Sequence, residues 1–138
     1  MQVSPYLLFN GNCAEALRFY EQVLGGTLTA LQTYGESPAR EQVAPELHDK
    51  VVHACLDLNG MLVMASDNAM GYEKTQGFAV SIGVKSTAEG RRIFDALANG
   101  GEVTMPFSET FWSPGFGMVT DRFGTPWMVN SVTPGQGH

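Results

Sequence analysis

The sequence predicts an α+β fold of two βαβββ modules, each with one helix on one face of a mixed, largely antiparallel sheet. The main observation is that a strand followed by an amphipathic helix occurs twice. Val3–Phe9 precedes a helix over Cys13–Leu24, and Phe78–Val84 precedes a helix over Thr87–Ala98. After each helix, apolar residues alternate with polar ones, which is typical of half-buried strands. The repeat predicts a single domain of two homologous halves.

Signals at both ends of the two predicted helices support the repeat. Asn12 with Glu15, and Ser86 with Glu89, have the spacing of a capping box, in which a short polar side chain accepts from the free N–H groups of the first turn. A glycine pair follows each helix, as expected for a chain that leaves the helix through the left-handed conformation. Apolar residues recur at helical spacing, so each helix should bury one face.

The remaining strands follow from alternation and from turn signals. In the first module, spanning 1–67, Asn59-Gly60 suits a two-residue hairpin turn. The second module spans 77–134. Such duplicated modules are expected to pair and to leave a cleft suited to a small molecule. The predicted strands after the helices are Thr27–Tyr34, Val51–Leu58 and Met61–Ser66, then Glu102–Phe107, Gly117–Thr120 and Pro126–Val132.

Composition excludes several classes of function. The 138 residues include 8 Lys and Arg against 14 Asp and Glu, and the basic residues are scattered. A nucleic-acid partner is not expected, because phosphate backbones are bound by a clustered basic face. No apolar run approaches the ~20 residues of a membrane span, and Met1–Pro5 lacks the basic residues of a signal peptide. Cys13 and Cys55 are too few for a disulfide framework, so we expect a cytoplasmic protein with free thiols.

Two longer segments interrupt the repeat. Residues 35–50 contain two prolines and several charges, and residues 67–76 connect the modules. Long loops often act as lids over a binding site, but a solvated connection has the same composition. For residues 35–50 we expect a mobile loop, and the sequence leaves both roles open.

Short motifs spread over nearly the whole chain form a recognisable pattern. They are Ser4-Pro5-Tyr6, Gly11-Asn12-Cys13, Phe19-Tyr20, Ser66-Asp67, Glu109-Thr110-Phe111-Trp112, Gly115-Phe116-Gly117, Thr120-Asp121, Phe123-Gly124, Pro126-Trp127-Met128 and Asn130. With the βαβββ order they resemble the vicinal oxygen chelate superfamily of glyoxalases, extradiol dioxygenases and bleomycin resistance proteins, and most closely its PhnB-like branch. The resemblance implies the glyoxalase/bleomycin resistance fold, a site on the concave sheet and a homodimer.

The resemblance also implies where a metal would be held. In metal-using members, the first, fourth, fifth and last strands each supply a His, Glu or Gln. Here those positions fall on Pro5, Met64, Ala79 and Met128, or on Phe78 instead of Ala79 if the register slips by one. None of these side chains suits a divalent metal in an oxygen-rich site. We therefore expect no metal and no other cofactor, although a divalent metal held in a shifted register stays open.

PhnB-like proteins have carried a methyltransferase label tied to demethylubiquinone, which the sequence does not support. Methyltransferases that use S-adenosylmethionine usually need a doubly wound domain with a glycine-rich turn between a strand and a helix. Gly83, Gly90 and the pair Gly100-Gly101 lack that spacing, and the strands follow a different pattern. We predict that the chain is not a methyltransferase of this kind.

The candidate catalytic residues are His53 and Glu109. His53 is the one histidine on a predicted strand, where it shares a face with Cys55 and Asp57. Imidazole titrates near neutral pH, so His53 is the best candidate for acid–base chemistry. Glu109 stands where the backbone should leave the sheet. A structural hydrogen bond for His53 and a turn role for Glu109 are the alternatives.

The candidate ligand-binding residues are a carboxylate, two aromatic rings, a thioether and an amide. The carboxylate could orient a polar or cationic ligand, and aromatic rings stack on flat ligands and attract cations. A capping role for the carboxylate, and a hydrophobic cluster or dimer contact for the rings, are the alternatives. These residues are Asp67, Trp112, Phe116, Met128 and Asn130.

Three functions are consistent with these residues. The first is a PhnB-like protein that binds or converts a small metabolite without the inherited metal set. The second is a metal-free protein that sequesters a cationic drug, as the bleomycin-binding relatives do. The third is a divalent-metal lyase or dioxygenase whose ligands lie in a shifted register. The sequence does not decide whether the protein is an enzyme.

Overall fold

A computed structural model describes residues 1–68 and 71–132. The chain divides into two compact units, Met1–Glu73 and Lys74–His138, called here the N-terminal and C-terminal modules. Residues 69–70 of the expected connecting segment, and 133–134 of the expected second module, lie outside the described residues. Within the described ranges, no helix combines the length and the apolar character that a membrane crossing requires.

In the N-terminal module, helix α1 (Cys13–Leu24) packs against a four-stranded sheet. The first strand of the chain is parallel to its neighbour, whereas the other neighbours in the sheet are antiparallel. The sheet is therefore mixed, with the first strand at one edge. In the order in which they lie across the sheet, the strands are β1 (Tyr6–Phe9), β4 (Met61–Asp67), β3 (Val51–Leu58) and β2 (Thr27–Thr33).

The C-terminal module has the same architecture, with helix α2 (Thr87–Ala98) on a second four-stranded mixed sheet. Its edge strand is again parallel to its neighbour, and the other pairs are antiparallel. The predicted fold class, two βαβββ modules with one helix each, is confirmed. Across the sheet the strands are β5 (Val80–Val84), β8 (Pro126–Ser131), β7 (Gly115–Thr120) and β6 (Glu102–Ser108).

Both helices have the predicted bounds, but they begin differently. The side-chain oxygen of Ser86 accepts from the N–H of Glu89 at 3.0 Å, as expected of a cap. Asn12 makes no side-chain capping bond within the described residues, so the capping box expected there is wrong. Instead, the N–H of Cys13 donates to Oδ1 of Asp67 at 3.0 Å. A carboxylate from a neighbouring strand replaces the local cap, because any suitably placed oxygen can satisfy a free helix N–H.

The strands match their predicted positions apart from their ends. β1 and β5 begin at Tyr6 and Val80, a little later than the sequence predicts. For β1 the reason is Pro5, which has no N–H to donate and joins the ladder only through its carbonyl, which accepts from Met64 at 3.1 Å. The predicted hairpin turn Asn59-Gly60 is confirmed, with φ values of 59° and 95°.

The segment between β2 and β3 contains short elements of regular structure. Its base is tied together, because the N–H of Tyr34 donates to the carbonyl of Lys50 at 2.9 Å and the N–H of Gly35 donates to that of His48 at 2.8 Å. The mobility expected of this segment and its role as a lid stay predictions. The segment contains three short 3-10 helices, Tyr34–Glu36, Arg40–Gln42 and Pro45–Leu47.

Each helix covers one face of its own sheet. In the N-terminal module the rings of Phe9 and Tyr20 lie 6.4 Å apart between β1 and α1. In the C-terminal module a Cβ on Gly117 would lie 2.7 Å from the ring of Phe94, so α2 approaches β7 where there is no side chain. Successive strand residues point to opposite faces, so the residues that alternate with Phe9 and Gly117 lie on the other side. We call that side the distal face.

Candidate functional site

The distal face of the C-terminal sheet brings together four predicted ligand-binding residues: Trp112, Phe116, Asn130 and Met128. Phe116 of β7 and Asn130 of β8 are direct neighbours in the sheet. Trp112, in the loop before β7, contacts Phe116 edge to face with the ring centres 5.5 Å apart. Phe116 is buried, whereas Trp112 keeps 45% of its surface exposed. An exposed indole beside a buried ring offers a flat apolar surface on which a ligand can stack.

The loop that carries Trp112 is held in place by Ser113, which is buried. The Ser113 hydroxyl lies 2.8 Å from the carbonyl oxygens of both Gly115 and Ser131, at the ends of two adjacent strands. The N–H of Thr110 donates to the carbonyl of Ser113 at 2.9 Å and closes the turn. These bonds fix the backbone beside the indole, which keeps Trp112 next to Phe116.

Three methionines lie side by side on the same face. Met118 of β7 is the register partner of both Met105 of β6 and Met128 of β8. Met128 is among the predicted binding residues, and Met118 follows from its alternation with Phe116. Met105 is harder to find from the sequence, because β6 shifts register on both sides of it. Unbranched thioethers adapt to irregular shapes, so the row forms a compliant apolar surface.

The amide of Asn130 has a buried oxygen without a partner. Oδ1 is shielded from solvent and accepts no hydrogen bond from any described residue. In the sheet, Asn130 lies between Phe116 and Gly83, and the latter has no side chain. A buried acceptor that lacks a donor costs about 1–3 kcal/mol, so its presence calls for a reason.

On the distal face of the N-terminal sheet, His53 has a partner that the sequence reading missed. Nδ1 of His53 lies 3.2 Å from the Tyr6 hydroxyl oxygen, and the two rings stack with their centres 5.9 Å apart. Tyr6 alternates with the buried Leu7, so strand alternation alone places it on this face. A hydrogen bond at one ring nitrogen orients the imidazole and leaves the other to act on a ligand.

Asp67 lies under α1 and not at the mouth of a cleft. It pairs with Phe9 in the sheet and is 4% exposed. Oδ1 accepts from the N–H of Cys13 at 3.0 Å, and Oδ2 accepts from the N–H of Val51 at 2.9 Å. Both oxygens are therefore engaged by backbone donors. These contacts favour the capping alternative for Asp67, and its role in ligand binding stays a prediction.

Cys13 is not a nucleophile in this environment. Burial, and secondarily the nearby Asp67 carboxylate, raise the pKa of the Cys13 thiol to about 12. Only the thiolate is reactive, so a thiol that stays protonated at neutral pH is inert. Cys13 belongs to the core beside the start of α1.

Glu109 is exposed directly after β6, next to the turn that Thr110 closes. The catalytic role of Glu109 stays a prediction that the geometry does little to favour.

The inherited metal positions do not fit a divalent metal. Met64 lies between Tyr6 and Cys55 on the N-terminal distal face, and Met128 belongs to the methionine row. Across residues 1–68 and 71–132, no three His, Cys, Asp or Glu side chains are grouped to hold a metal ion. A thioether favours soft ions such as Cu(I) over Mg²⁺, Mn²⁺ or Zn²⁺ in an oxygen-rich site. We therefore derive no step through a metal.

A depression also lies at one end of the N-terminal module, between the turn after α1 and the hairpin after β3. Oδ1 of Asp57 accepts from the N–H of Gly60 at 2.7 Å, so this carboxylate holds the hairpin. The depression lacks the rings and the imidazole of the distal faces, and we assign it no ligand. Its lining residues are Gly25, Gly26, Thr27, Asp57, Asn59 and Gly60.

Comparisons of the chain with known proteins identify its family. A family profile described as 3-demethylubiquinone-9 3-methyltransferase matches residues 1–130. Protein YjdN of Escherichia coli strain K12 is 39% identical over 142 residues, covering 96% of this chain and 96% of that protein. The crystal structure of protein PA1353 from Pseudomonas aeruginosa is 49% identical, with a TM-score of 0.89 over 96% of this chain and 98% of that chain.

More distant structures share the fold. A putative 3-demethylubiquinone-9 3-methyltransferase, PhnB protein, from Bacillus cereus is 23% identical, with a TM-score of 0.82 over 96% of this chain and 100% of that chain. Glyoxalase/bleomycin resistance protein/dioxygenase family proteins from Frankia sp. EAN1pec and Burkholderia phytofirmans PsJN have the same fold. The predicted resemblance to the vicinal oxygen chelate superfamily, and to its PhnB-like branch, is confirmed.

The methyltransferase in the family description does not fit the site. The usual S-adenosylmethionine domain is a doubly wound parallel sheet with a glycine-rich turn after its first strand. Here both sheets are mixed, and the turns that lead into the helices read Asn10-Gly11-Asn12 and Lys85-Ser86. We derive no methyl-transfer step from these residues.

Proposed function

We propose that this chain, which belongs to the 3-demethylubiquinone-9 3-methyltransferase family and to the PhnB-like branch of the vicinal oxygen chelate superfamily, binds a small, flat metabolite on the distal face of its C-terminal sheet. The observation that carries the proposal is the half-exposed indole of Trp112 held against Phe116, beside an amide whose oxygen is unpaired. Apolar walls with a few placed polar groups are typical of small-molecule sites.

The contacts that a flat ligand would make support this choice. Stacking on an aromatic ring contributes roughly 0.5–1.5 kcal/mol beyond the burial of apolar area. The row of Met105, Met118 and Met128 lies on the same face and can follow the outline of different ligands. The residues at the inherited metal positions favour binding without a divalent metal, so the ligand would be held by shape and hydrogen bonds.

The Tyr6–His53 contact favours a second function, in which the protein also moves a proton on its ligand. Imidazole exchanges protons near neutral pH, and a fixed ring is a better acid or base than a mobile one. If the protein turns over a substrate, His53→Gln should reduce kcat by about a hundredfold or more, because general acid–base catalysis contributes that much. Tyr6→Phe should cost less, since it removes only the orienting hydrogen bond.

The experiment uses the two tryptophans as reporters within one molecule. The full chain is labelled with 5-fluorotryptophan, and the two fluorine resonances are assigned with a Trp112→Phe variant. Indole, a flat aromatic probe, should shift the Trp112 resonance saturably and leave that of the buried Trp127 in place. Indole binding that moves neither resonance, or both equally, would contradict the proposal.

Two further measurements separate the alternatives. Metal analysis of the purified protein should find no stoichiometric divalent metal, and EDTA should leave indole binding unchanged. A saturable shift of Trp112 with bleomycin but not with indole would favour drug sequestration. The homodimer implied by the resemblance stays a prediction, for which sedimentation is the measurement, and the cytoplasmic location stays a prediction as well.

A further inference from the structure

We propose that Oδ1 of Asn130 accepts a hydrogen bond from the ligand, so that the distal face of the C-terminal sheet selects flat aromatic compounds with an N–H or O–H donor at the ring edge. This inference rests on the proposed function and adds the chemical class of the ligand. It starts from the buried oxygen of Asn130, which accepts from no described residue.

The position of Asn130 favours a ligand as the missing donor. On one side its neighbour in the sheet is Phe116, which carries the exposed indole of Trp112 against its ring. On the other side its neighbour is Gly83, which contributes no side chain to this face. Gly83 is exposed, so a flat molecule stacked beside Trp112 has room over this strand, and the amide must turn for Oδ1, which is shielded in the ligand-free structure, to meet the edge of that molecule. An apolar edge would leave Oδ1 unpaired, whereas a donor would remove its desolvation cost.

A second buried amide oxygen in the chain provides a control for the role of Asn130. Oδ1 of Asn12 is also buried without a partner among the described residues, but it lies before α1 in the N-terminal module. Asn12 precedes a helix, whereas Asn130 adjoins an aromatic pair. Asn12 thus serves as a matched control for the effect of removing an orphaned amide oxygen.

The test compares indole with 1-methylindole, which has nearly the same ring but no N–H. Both are titrated into the fluorotryptophan-labelled full chain while the Trp112 resonance is followed. We expect indole to bind about fivefold more tightly, since one hydrogen bond contributes about 1 kcal/mol. In Asn130→Leu the preference should vanish, and in Asn12→Leu it should persist.

Several outcomes overturn the inference. Equal affinity for the two probes in the unmodified protein would show that Oδ1 receives no donor, while the proposed binding surface would stand. A preference that survives in Asn130→Leu would place the donor contact elsewhere. Failure of both probes to shift Trp112 at millimolar concentration would contradict the proposed function itself. Thermal melts accompany each variant, and without ligand Asn130→Leu should melt no lower than the parent because it removes an unpaired acceptor.

Discussion

The two modules share one strand order but place their chemistry differently. The N-terminal distal face carries an oriented imidazole, Tyr6 beside His53, together with a thiol and a thioether. The C-terminal distal face carries Trp112 on Phe116, an amide and three thioethers. The two scaffolds have the same architecture, but one carries titratable groups and the other a stacking surface. The comparison teaches that a function read from one module cannot be transferred to the other.

The buried acids differ in the same way. When the two module sequences are aligned on the turn glycines Gly60 and Gly124, Asp57 corresponds to Asp121 and Asp67 corresponds to Ser131. In the N-terminal module the buried acid lies at the end of the last strand, where it caps α1. In the C-terminal module it lies in the turn, where Asp121 accepts from backbone N–H groups and from an indole.

The largest effect is expected from removing Asp121. Its carboxylate accepts from the N–H groups of Phe123 and Thr125 and from Nε1 of Trp127, at 2.8–3.0 Å. Asp121→Ala leaves these buried donors unpaired, so the free energy of unfolding should fall by about 4 kcal/mol, measured by urea denaturation. Asp67→Ala, with two backbone donors, should cost about 3 kcal/mol.

The control is the aligned acid of the other turn, Asp57. It is only partly buried, and among the described residues its side chain accepts a single hydrogen bond, from the N–H of Gly60. Asp57→Ala should cost about 0.5–1 kcal/mol. Equal losses of unfolding free energy in Asp57→Ala and Asp121→Ala would contradict this difference between the two turns.

Ligand binding should depend on Trp112 and not on its exposed neighbour. Trp112→Ala should weaken indole affinity about tenfold, because a stacked ring is lost, and should change stability little. Phe111, which is 97% exposed and contacts Trp112 edge to face with the ring centres 4.7 Å apart, provides the control, and Phe111→Ala should alter the affinity less than twofold. Calorimetric or NMR titration measures both. A larger loss of indole affinity in Phe111→Ala than in Trp112→Ala would place the binding surface on the ring of Phe111.

The raised pKa of Cys13 predicts a loss of stability in alkali. The thiol ionises near pH 9 in the unfolded chain but near pH 12 in the folded one, because burial and Asp67 disfavour the thiolate. The unfolded state therefore releases a proton first as the pH rises. Stability should fall by about 1 kcal/mol per pH unit above pH 9. The free energy of unfolding of Cys13→Ala should fall less over this pH range than that of the parent protein, as measured by denaturation at several pH values. Equal falls in the two proteins would refute this account.

The smallest effect compares the starts of the two helices. Ser86→Ala removes a formed cap and should cost about 1 kcal/mol. Asn12→Ala should cost almost nothing, because Asn12 makes no capping bond within the described residues and Asp67 serves the helix instead. Thermal or urea denaturation of the two variants measures the difference. A larger loss for Asn12 would restore the capping box that its spacing with Glu15 suggests.

The local parts of this fold could be predicted from the sequence, and the non-local parts could not. Both helices were predictable because periodicity, glycine stops and Ser86 act within a few residues. The hydrogen bond from the start of α1 to Asp67 could not be predicted, because Asp67 lies on a strand that is distant in sequence from α1. In the site, Trp112 and Asn130 were predicted from a family motif. The contact between Tyr6 and His53 was not, because it depends on the order of the strands in the sheet. The face on which Met105 lies could not be predicted, because register shifts in β6 break simple alternation.

The most direct test of the proposed site is a crystal structure of the full chain with indole bound. The account predicts the probe on the distal face of the C-terminal sheet, stacked beside Trp112, with its N–H donating to Oδ1 of Asn130. Indole bound instead in the depression around Gly25 and Gly60, or found only at contacts between molecules, would contradict it.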